Sequence, residues 1–369
     1  MAPVTALRFY GKGDLRIDSI EPRECGPFEV RVKVAYCGIC GSDLHEYLGG
    51  PILAPGVGQK NPHTGAELPV VLGHEMSGTI VEVGSCVTTV APGQQCAINP
   101  SVDDRHHGTD ACESCRGGRP NLCKRWACYG LSAPGGGLSD EIVVHMASIV
   151  PVPSSVSLKA AALAEPLAVA AHMIRVSGFQ RGSTTLVLGA GPIGLALLLL
   201  LKAQGAKAVW VSEIVEARSS KARQFGADAI IDPSKASRVE GEDPVVAFVM
   251  EMTENGVDIA FDTTGIQVTL DTAIAATKPG GTIFNVAISE KPVVIHPNMF
   301  TLAEKKYMGG LCYTGEDFAM VVEALASGAL PAEDLITSVV PLSKAVEGAF
   351  EELINNKDSH VKILVQPGQ

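Results

Sequence analysis

The chain has 369 residues, 46% hydrophobic and 19% charged, the make-up of a well-buried globular protein too long for one ordinary core. Its 40 acidic and 29 basic residues give a net charge of −11, and no basic tract is present, so a nucleic-acid partner is not expected. The longest apolar run, Ile193 to Leu201, is far shorter than the roughly 20 residues of a membrane span.

The N-terminal segment lacks the apolar stretch of a signal peptide. Ten cysteines in such a chain read as metal ligands or buried thiols, not as a disulfide framework. The expectation is a cytoplasmic protein with no membrane partner.

In chain order, residues 1–156 carry short β-like runs broken by glycine and proline, such as Val30–Ala35, Gly78–Val83 and Glu141–Val144. Period-two alternation with turn punctuation predicts an antiparallel or barrel-like β domain. At residue 157 the texture changes, and Ser157–Ser177 reads as an alanine-rich, helix-like stretch that connects the domains. Strands are then predicted at Thr184–Leu188, Ala208–Val211, Ala229–Ile231, Val257–Phe261, Thr282–Val286 and Tyr307–Gly310, the first two followed by helices reaching Gln204 and Phe225. Such alternation builds βαβ units and a parallel sheet. The tail reads as helix over Ala319–Ser327 and Leu342–Asn355, then as a strand at Val361–Val365. The fold class is α/β, a β-rich domain plus a doubly wound parallel sheet, with the tail able to join either.

Gly189-Ala190-Gly191-Pro192-Ile193-Gly194 lies between an apolar strand and an apolar helix, the context a dinucleotide loop requires. Gly189 permits the tight turn, Gly191 admits the pyrophosphate to the backbone, and Gly194 lets the helix pack on the strand. Pro192 and Ile193 open that helix, whose free N–H groups hold the phosphates. Glu213 ends the following strand, where a carboxylate accepts from ribose hydroxyls and repels a 2′-phosphate, so NAD(H) is favoured. Arg218 nearby keeps NADP(H) open.

Cys40, His74 and Glu165 offer a thiolate, an imidazole and a carboxylate, all acceptable to zinc. Three protein donors plus an open position is the catalytic arrangement. On spacing alone the structural reading is equally good, because buried cysteines are usually inert and isolated His or Glu residues usually serve the fold.

Four segments decide between these readings: Gly38-Ile39-Cys40-Gly41-Ser42-Asp43-Leu44-His45, Gly73-His74-Glu75-Met76-Ser77-Gly78, Glu165-Pro166-Leu167-Ala168-Val169, and the Gly189–Gly194 loop. In order and spacing the whole chain resembles the zinc-dependent medium-chain dehydrogenase/reductase family. The resemblance implies a GroES-like catalytic domain over residues 1–156, a Rossmann domain over 157–305, and a segment 306–369 that returns to the catalytic domain. It implies Cys40, His74 and Glu165 as catalytic zinc ligands, with Cys37 a bystander. Glu75 matches a residue that in some members approaches the metal. Asp43 matches the carboxylate that orients the zinc-bound histidine, and Ser42 and His45 match a proton relay. Nicotinamide is expected near Asp262–Thr264 and Asn285–Ala287, which places Thr264 and Val286 at the cofactor. Glu165, together with the long segment from Tyr47 to His63, resembles the butanediol and polyol branch.

One departure concerns a second, structural zinc, which many members hold with four cysteines. Cys112, Cys115 and Cys123 fit the last three places, but Thr109 stands in the first. His106, His107 and Asp110 are the candidates for the missing ligand, and an empty loop is the alternative. Cys128 reads as a buried thiol.

The expected activity is hydride transfer between NAD(H) and a small secondary alcohol or ketone, a vicinal diol, acyloin or polyol, by a homodimer or homotetramer. A reductase of a larger ketone, iminium or enal, and a non-catalytic dinucleotide-binding module, are the alternatives.

Overall fold

The structure, a computed structural model, describes residues 2–235, 242–289 and 291–368. It divides into two compact units. One contains the residues up to Glu165 and those from Thr314 onward; the other is Pro166–Tyr313. Among the described residues no helix is long and apolar enough to cross a membrane.

The first unit is built around the long strand Glu29–Gly38, whose alternating residues Val30, Val32 and Val34 are buried. It pairs antiparallel with Glu75–Val83, Glu141–His145 and the last strand, Lys362–Gln366. Lys362–Gln366 in turn runs parallel to Ile336–Pro341. The chain's final residues therefore lie inside a sheet begun by its first forty. Leu7, Phe9, Met76, Ile80, Ile98, Leu138, Phe350 and Ile363 fill the core behind it. Gly38 pairs with Glu75 on one side and Leu364 on the other, which brings three distant segments to one place.

In the second unit all six strands are parallel, in the order Ala229–Ile231, Ala208–Ser212, Thr184–Leu188, Val257–Asp262, Thr277–Asn285 and Lys306–Gly309. Chain order reverses between Thr184–Leu188 and Val257–Asp262. Ligands bind such sheets at this switch point, outside the carboxyl ends of the strands. Leu186, Trp210, Val249, Ala260, Leu270 and Ile283 form the core on one face.

Three local expectations are revised. Ser157–Ser177 is two helices, Leu158–Ala162 and Ala164–Val176. Pro166 explains the break: it has no N–H to offer the Ala162 carbonyl, and its ring crowds that carbonyl, whereas the first turn of a new helix tolerates it. Leu342–Asn355 is a 3₁₀ turn, a widened turn over Val346–Phe350 containing Gly348, and a short helix at Glu351–Asn355. The strand expected at Thr282 begins at Thr277, with the Pro279-Gly280-Gly281 turn absorbed as a shift in register.

Candidate functional site

Cys40 precedes the Gly41–Gly49 helix, and His74 precedes the Glu75–Val83 strand. Asp43, fully buried in the helix's first turn, ties the two segments together. Its Oδ2 accepts from the Cys40 N–H at 2.9 Å and its Oδ1 from the Gly73 N–H at 3.2 Å. The same Oδ1 lies 3.6 Å from His74 Nδ1, too far for a hydrogen bond, and that buried nitrogen has no hydrogen-bond partner among the described residues.

Burial disfavours a charged His74, yet the negative potential of Asp43 and Cys40 holds its pKa well above the ordinary histidine value. A pocket that draws a proton onto a buried imidazole offers a cation the same attraction. The donor chemistry therefore fits a divalent metal.

Glu165 is buried in the first turn of the Ala164–Val176 helix. The ligand atoms of Cys40, His74 and Glu165 do not all lie within 4.8 Å of one another. Ser42 Oγ is 3.7 Å from Cys40 Sγ, and His45, three residues along the helix and so on the same side, is exposed. Cys37 is a core residue, its sulfur filling the space a side chain at Gly73 or Gly137 would need, and burial pushes its thiol well up.

Glu75, fully buried, pairs with Lys362: Nζ donates to Oε1 at 2.6 Å and Oε2 at 2.8 Å, and to the Ile39 carbonyl at 3.1 Å. Sequence reasoning missed Lys362, and its only signal was one lysine at the edge of an apolar strand.

A second donor cluster is more compact. Asp104, Cys112, Cys115 and Cys123 have ligand atoms all within 4.8 Å of one another, and the Cys112 and Cys123 sulfurs are 3.9 Å apart. Tetrahedral zinc with bonds of about 2.3 Å needs sulfurs roughly 3.8 Å apart, so the cluster fits that ion.

The side chain that stands with the three cysteines in this cluster is Asp104, while the three residues nearest the missing position have other surroundings. His106 accepts from the Asp103 N–H through Nδ1 and bonds Ser148 through Nε2, His107 bonds the Arg125 carbonyl, and Asp110 is exposed. Asp104 accepts from the Cys112 N–H at 2.7 Å and pairs with Arg125. Burial raises its pKa, but these partners outweigh burial and hold it below the usual carboxylate range.

In the second unit each glycine of the Gly189–Gly194 loop can be tested by the Cβ it lacks. Gly189 has φ +94°, Gly191 faces open space, and a Cβ on Gly194 would lie 2.0 Å from the Gly189 carbonyl oxygen. Pro192 and Ile193 open the Pro192–Ala203 helix.

Glu213 is buried and accepts from the N–H groups of Ala190, Ile214 and Val215 at 2.7–2.8 Å, leaving about one acceptor direction for a hydroxyl. Arg218 is half-buried on the Glu216–Gln224 helix. At the neighbouring strand ends, Asp262 accepts from the Thr264 N–H and hydroxyl, and the Val286 N–H bonds the Asp262 carbonyl. Gly189, Glu213, Thr264 and Val286 therefore share the carboxyl edge of the sheet at the switch point.

Comparison with known proteins accords with both halves. Residues 26–154 match the alcohol dehydrogenase GroES-like domain, and residues 192–327 the zinc-binding dehydrogenase domain. The chain is 40% identical to a (R,R)-butanediol dehydrogenase of Saccharomyces cerevisiae, with 98% of each chain covered. It superimposes on the crystal structure of 2R,3R-butanediol dehydrogenase from Bacillus subtilis with TM-score 0.90 at 38% identity, covering 99% of this chain and 100% of that one. A zinc-binding dehydrogenase of Sinorhizobium meliloti, solved with NADP bound, gives TM-score 0.84 at 28% identity and full coverage of both.

Proposed function

The chain belongs to the zinc-dependent medium-chain dehydrogenase/reductase family, and from that premise we propose that it interconverts a vicinal diol of the 2,3-butanediol kind and its acyloin, using NAD(H). The whole-length likeness to butanediol dehydrogenases from a yeast and a bacterium is the observation that carries the substrate class. A short polyol is the neighbouring possibility within the same chemistry.

Cys40, His74 and Glu165 would hold the catalytic zinc. When bound, that ion supplies Lewis acidity to the substrate oxygen, and the nicotinamide supplies the hydride acceptor or donor. The chain's own part is to orient and to move protons. Asp43 fixes the Cys40 and Gly73 backbones and faces His74 Nδ1, which leaves Nε2 for the metal. Ser42 takes the proton of the alcohol, and exposed His45 on the same side of the helix passes it to solvent.

Asp104, Cys112, Cys115 and Cys123 would hold a second, structural zinc with no position left for substrate. Glu213 supports NAD(H) over NADP(H), because a buried carboxylate committed to the loop backbone repels a 2′-phosphate. Among the described residues the Lys306–Gly309 strand pairs with one neighbour, at the end of its sheet, and an edge of this kind supports a homodimer, or a homotetramer of two such pairs. A cysteine set that reads as metal ligands and buried thiols supports a cytoplasmic location.

The test is initial-rate measurement on butanediol stereoisomers, acetoin, sorbitol, xylitol and simple alcohols with each cofactor. The expected result is fastest turnover of a butanediol with NAD, abolished in Cys40→Ala and His74→Ala while NADH still binds. Turnover in metal-free Cys40→Ala would overturn the mechanism, and turnover of large ketones alone would overturn the substrate.

A further inference from the structure

Asp262 closes the Val257–Asp262 strand at the switch point and is buried. Its side chain and its main chain hold two different segments. The carboxylate Oδ1 accepts from the Thr264 N–H at 2.9 Å, the Thr264 hydroxyl at 2.8 Å and the Gly265 N–H at 3.3 Å. The Thr269 hydroxyl reaches Oδ1 and Oδ2 at 3.1 and 3.2 Å. The main-chain carbonyl accepts from the N–H groups of Val286 and Ala287 at 2.9 and 3.3 Å.

These two segments meet. Gly265 has φ +71°, and a Cβ there would lie 3.0 Å from the Ala287 Cβ. The Thr264–Gly265 turn and the Val286–Ala287 segment thus form one ledge at the ends of two neighbouring strands. Bonds from N–H and O–H groups to a buried carboxylate are roughly twice as strong as neutral ones, so the turn is held chiefly by Asp262.

The dinucleotide loop has its own support. Thr263, whose Oγ1 would lie 2.7 Å from a Cβ on Gly189, donates its N–H to the Leu188 carbonyl at 3.0 Å. Its hydroxyl is 2.8 Å from the Leu188 carbonyl and 3.2 Å from that of Gly189. Loss of the Asp262 carboxylate therefore frees the Thr264–Gly265 turn and leaves the Gly189–Gly194 loop in place.

Resting on the dinucleotide site proposed above, we propose that Asp262 is a positioning residue for the nicotinamide half of the cofactor alone, its carboxylate fixing the ledge that receives the ring. The adenosine and pyrophosphate half, served by Glu213 and the Gly189–Gly194 loop, does not depend on it.

Calorimetric titration of the full-length protein with NADH and with ADP-ribose, the same molecule without its nicotinamide, separates the two halves. In the wild type NADH should bind at least about tenfold more tightly than ADP-ribose. In Asp262→Ala that advantage should vanish: NADH affinity falls about tenfold, while ADP-ribose affinity changes by less than about twofold. With the ring displaced by about 1 Å, kcat should fall about 10- to 100-fold. Asp262→Asn, which keeps a neutral acceptor oxygen, should regain most of the NADH advantage. Where Asp262→Ala does not fold, Asp262→Val, which fills the space without an acceptor, carries the same expectations.

Equal loss of both affinities in Asp262→Ala would show a general effect on the sheet end and overturn the proposal. Unchanged NADH affinity in that variant would overturn it too, as would equal affinity for the two ligands in the wild type. Binding of neither ligand by the wild type would instead overturn the dinucleotide site itself.

Discussion

The two outer contacts of the Gly189–Gly194 loop make its glycines separable by experiment. In Gly194→Ala the new Cβ would lie 2.0 Å from the Gly189 carbonyl oxygen, where a relaxed carbon–oxygen contact is about 3.3 Å or longer. The helix or the turn must therefore move by more than about 1 Å. Overpacking of this order costs about 1–3 kcal/mol of stability. A shift of that size at a helix N-terminus also displaces the N–H groups meant for the pyrophosphate, worth about 100-fold in binding or rate.

Gly191→Ala is the control. Gly191 has φ −68° and nothing within 4 Å, so alanine fits the free protein, and loss of glycine's freedom in the unfolded chain adds about 0.4–1 kcal/mol. The same methyl group stands where the pyrophosphate must approach. Urea unfolding and NADH fluorescence titration read the two effects separately. Gly194→Ala should lose both stability and NADH affinity, whereas Gly191→Ala should lose affinity alone. Undiminished NADH binding by Gly191→Ala would refute the assignment of the loop, and undiminished stability of Gly194→Ala would refute the packing argument.

Two further outcomes follow from groups elsewhere. Mass-spectrometric metal analysis should find about two zinc ions per chain in the wild type and about one in Asp104→Ala, with the remaining ion lost on further mutation of Cys40. Two retained ions in Asp104→Ala would exclude the aspartate as a ligand. Asp258 accepts from the Thr184 N–H and hydroxyl at 2.7 and 2.8 Å and pairs with Lys278. Burial opposes its charge, but Lys278 and Thr184 hold its pKa below the ordinary carboxylate value. A depressed folded-state pKa gives stability that is complete above the unfolded value of about 3.9 and is lost as pH falls through the folded value. The Tm gap between wild type and Asp258→Asn should accordingly be widest near neutrality and close below pH ~4. A gap independent of pH would show that the charge is not what Asp258 contributes.

What could be read from the sequence was what depends on neighbours in the chain. The Gly189–Gly194 loop was legible because each glycine answers a backbone demand set within six residues. The strands around it were legible because buried parallel strands read as unbroken apolar runs such as Leu186–Leu188. The break at Leu163 was also written locally, in Pro166, but alanine content outweighed it. Asp104 was not legible, because a spacing pattern points to the residue near Thr109, whereas the loop doubles back and places a carboxylate eight residues before Cys112 against the Cys112 N–H. Lys362 was still less so, since 287 residues separate it from Glu75 and only strand pairing through Gly38 brings them together.

That last pairing bears on how the protein is made. Chains emerge from the ribosome N-terminus first, and domains generally fold as they emerge. The Pro166–Tyr313 unit is continuous and complete once Tyr313 has been synthesised. The unit around Cys40 and His74 is not, because Lys362–Gln366 is inserted between Glu29–Gly38 and Ile336–Pro341. The ligand-bearing half, translated first, is finished last, by a strand made after the whole of the Pro166–Tyr313 unit. A nascent chain thus carries a complete nucleotide-binding sheet well before it carries a complete metal centre, and a truncation between Tyr313 and Lys362 removes the second while sparing the first.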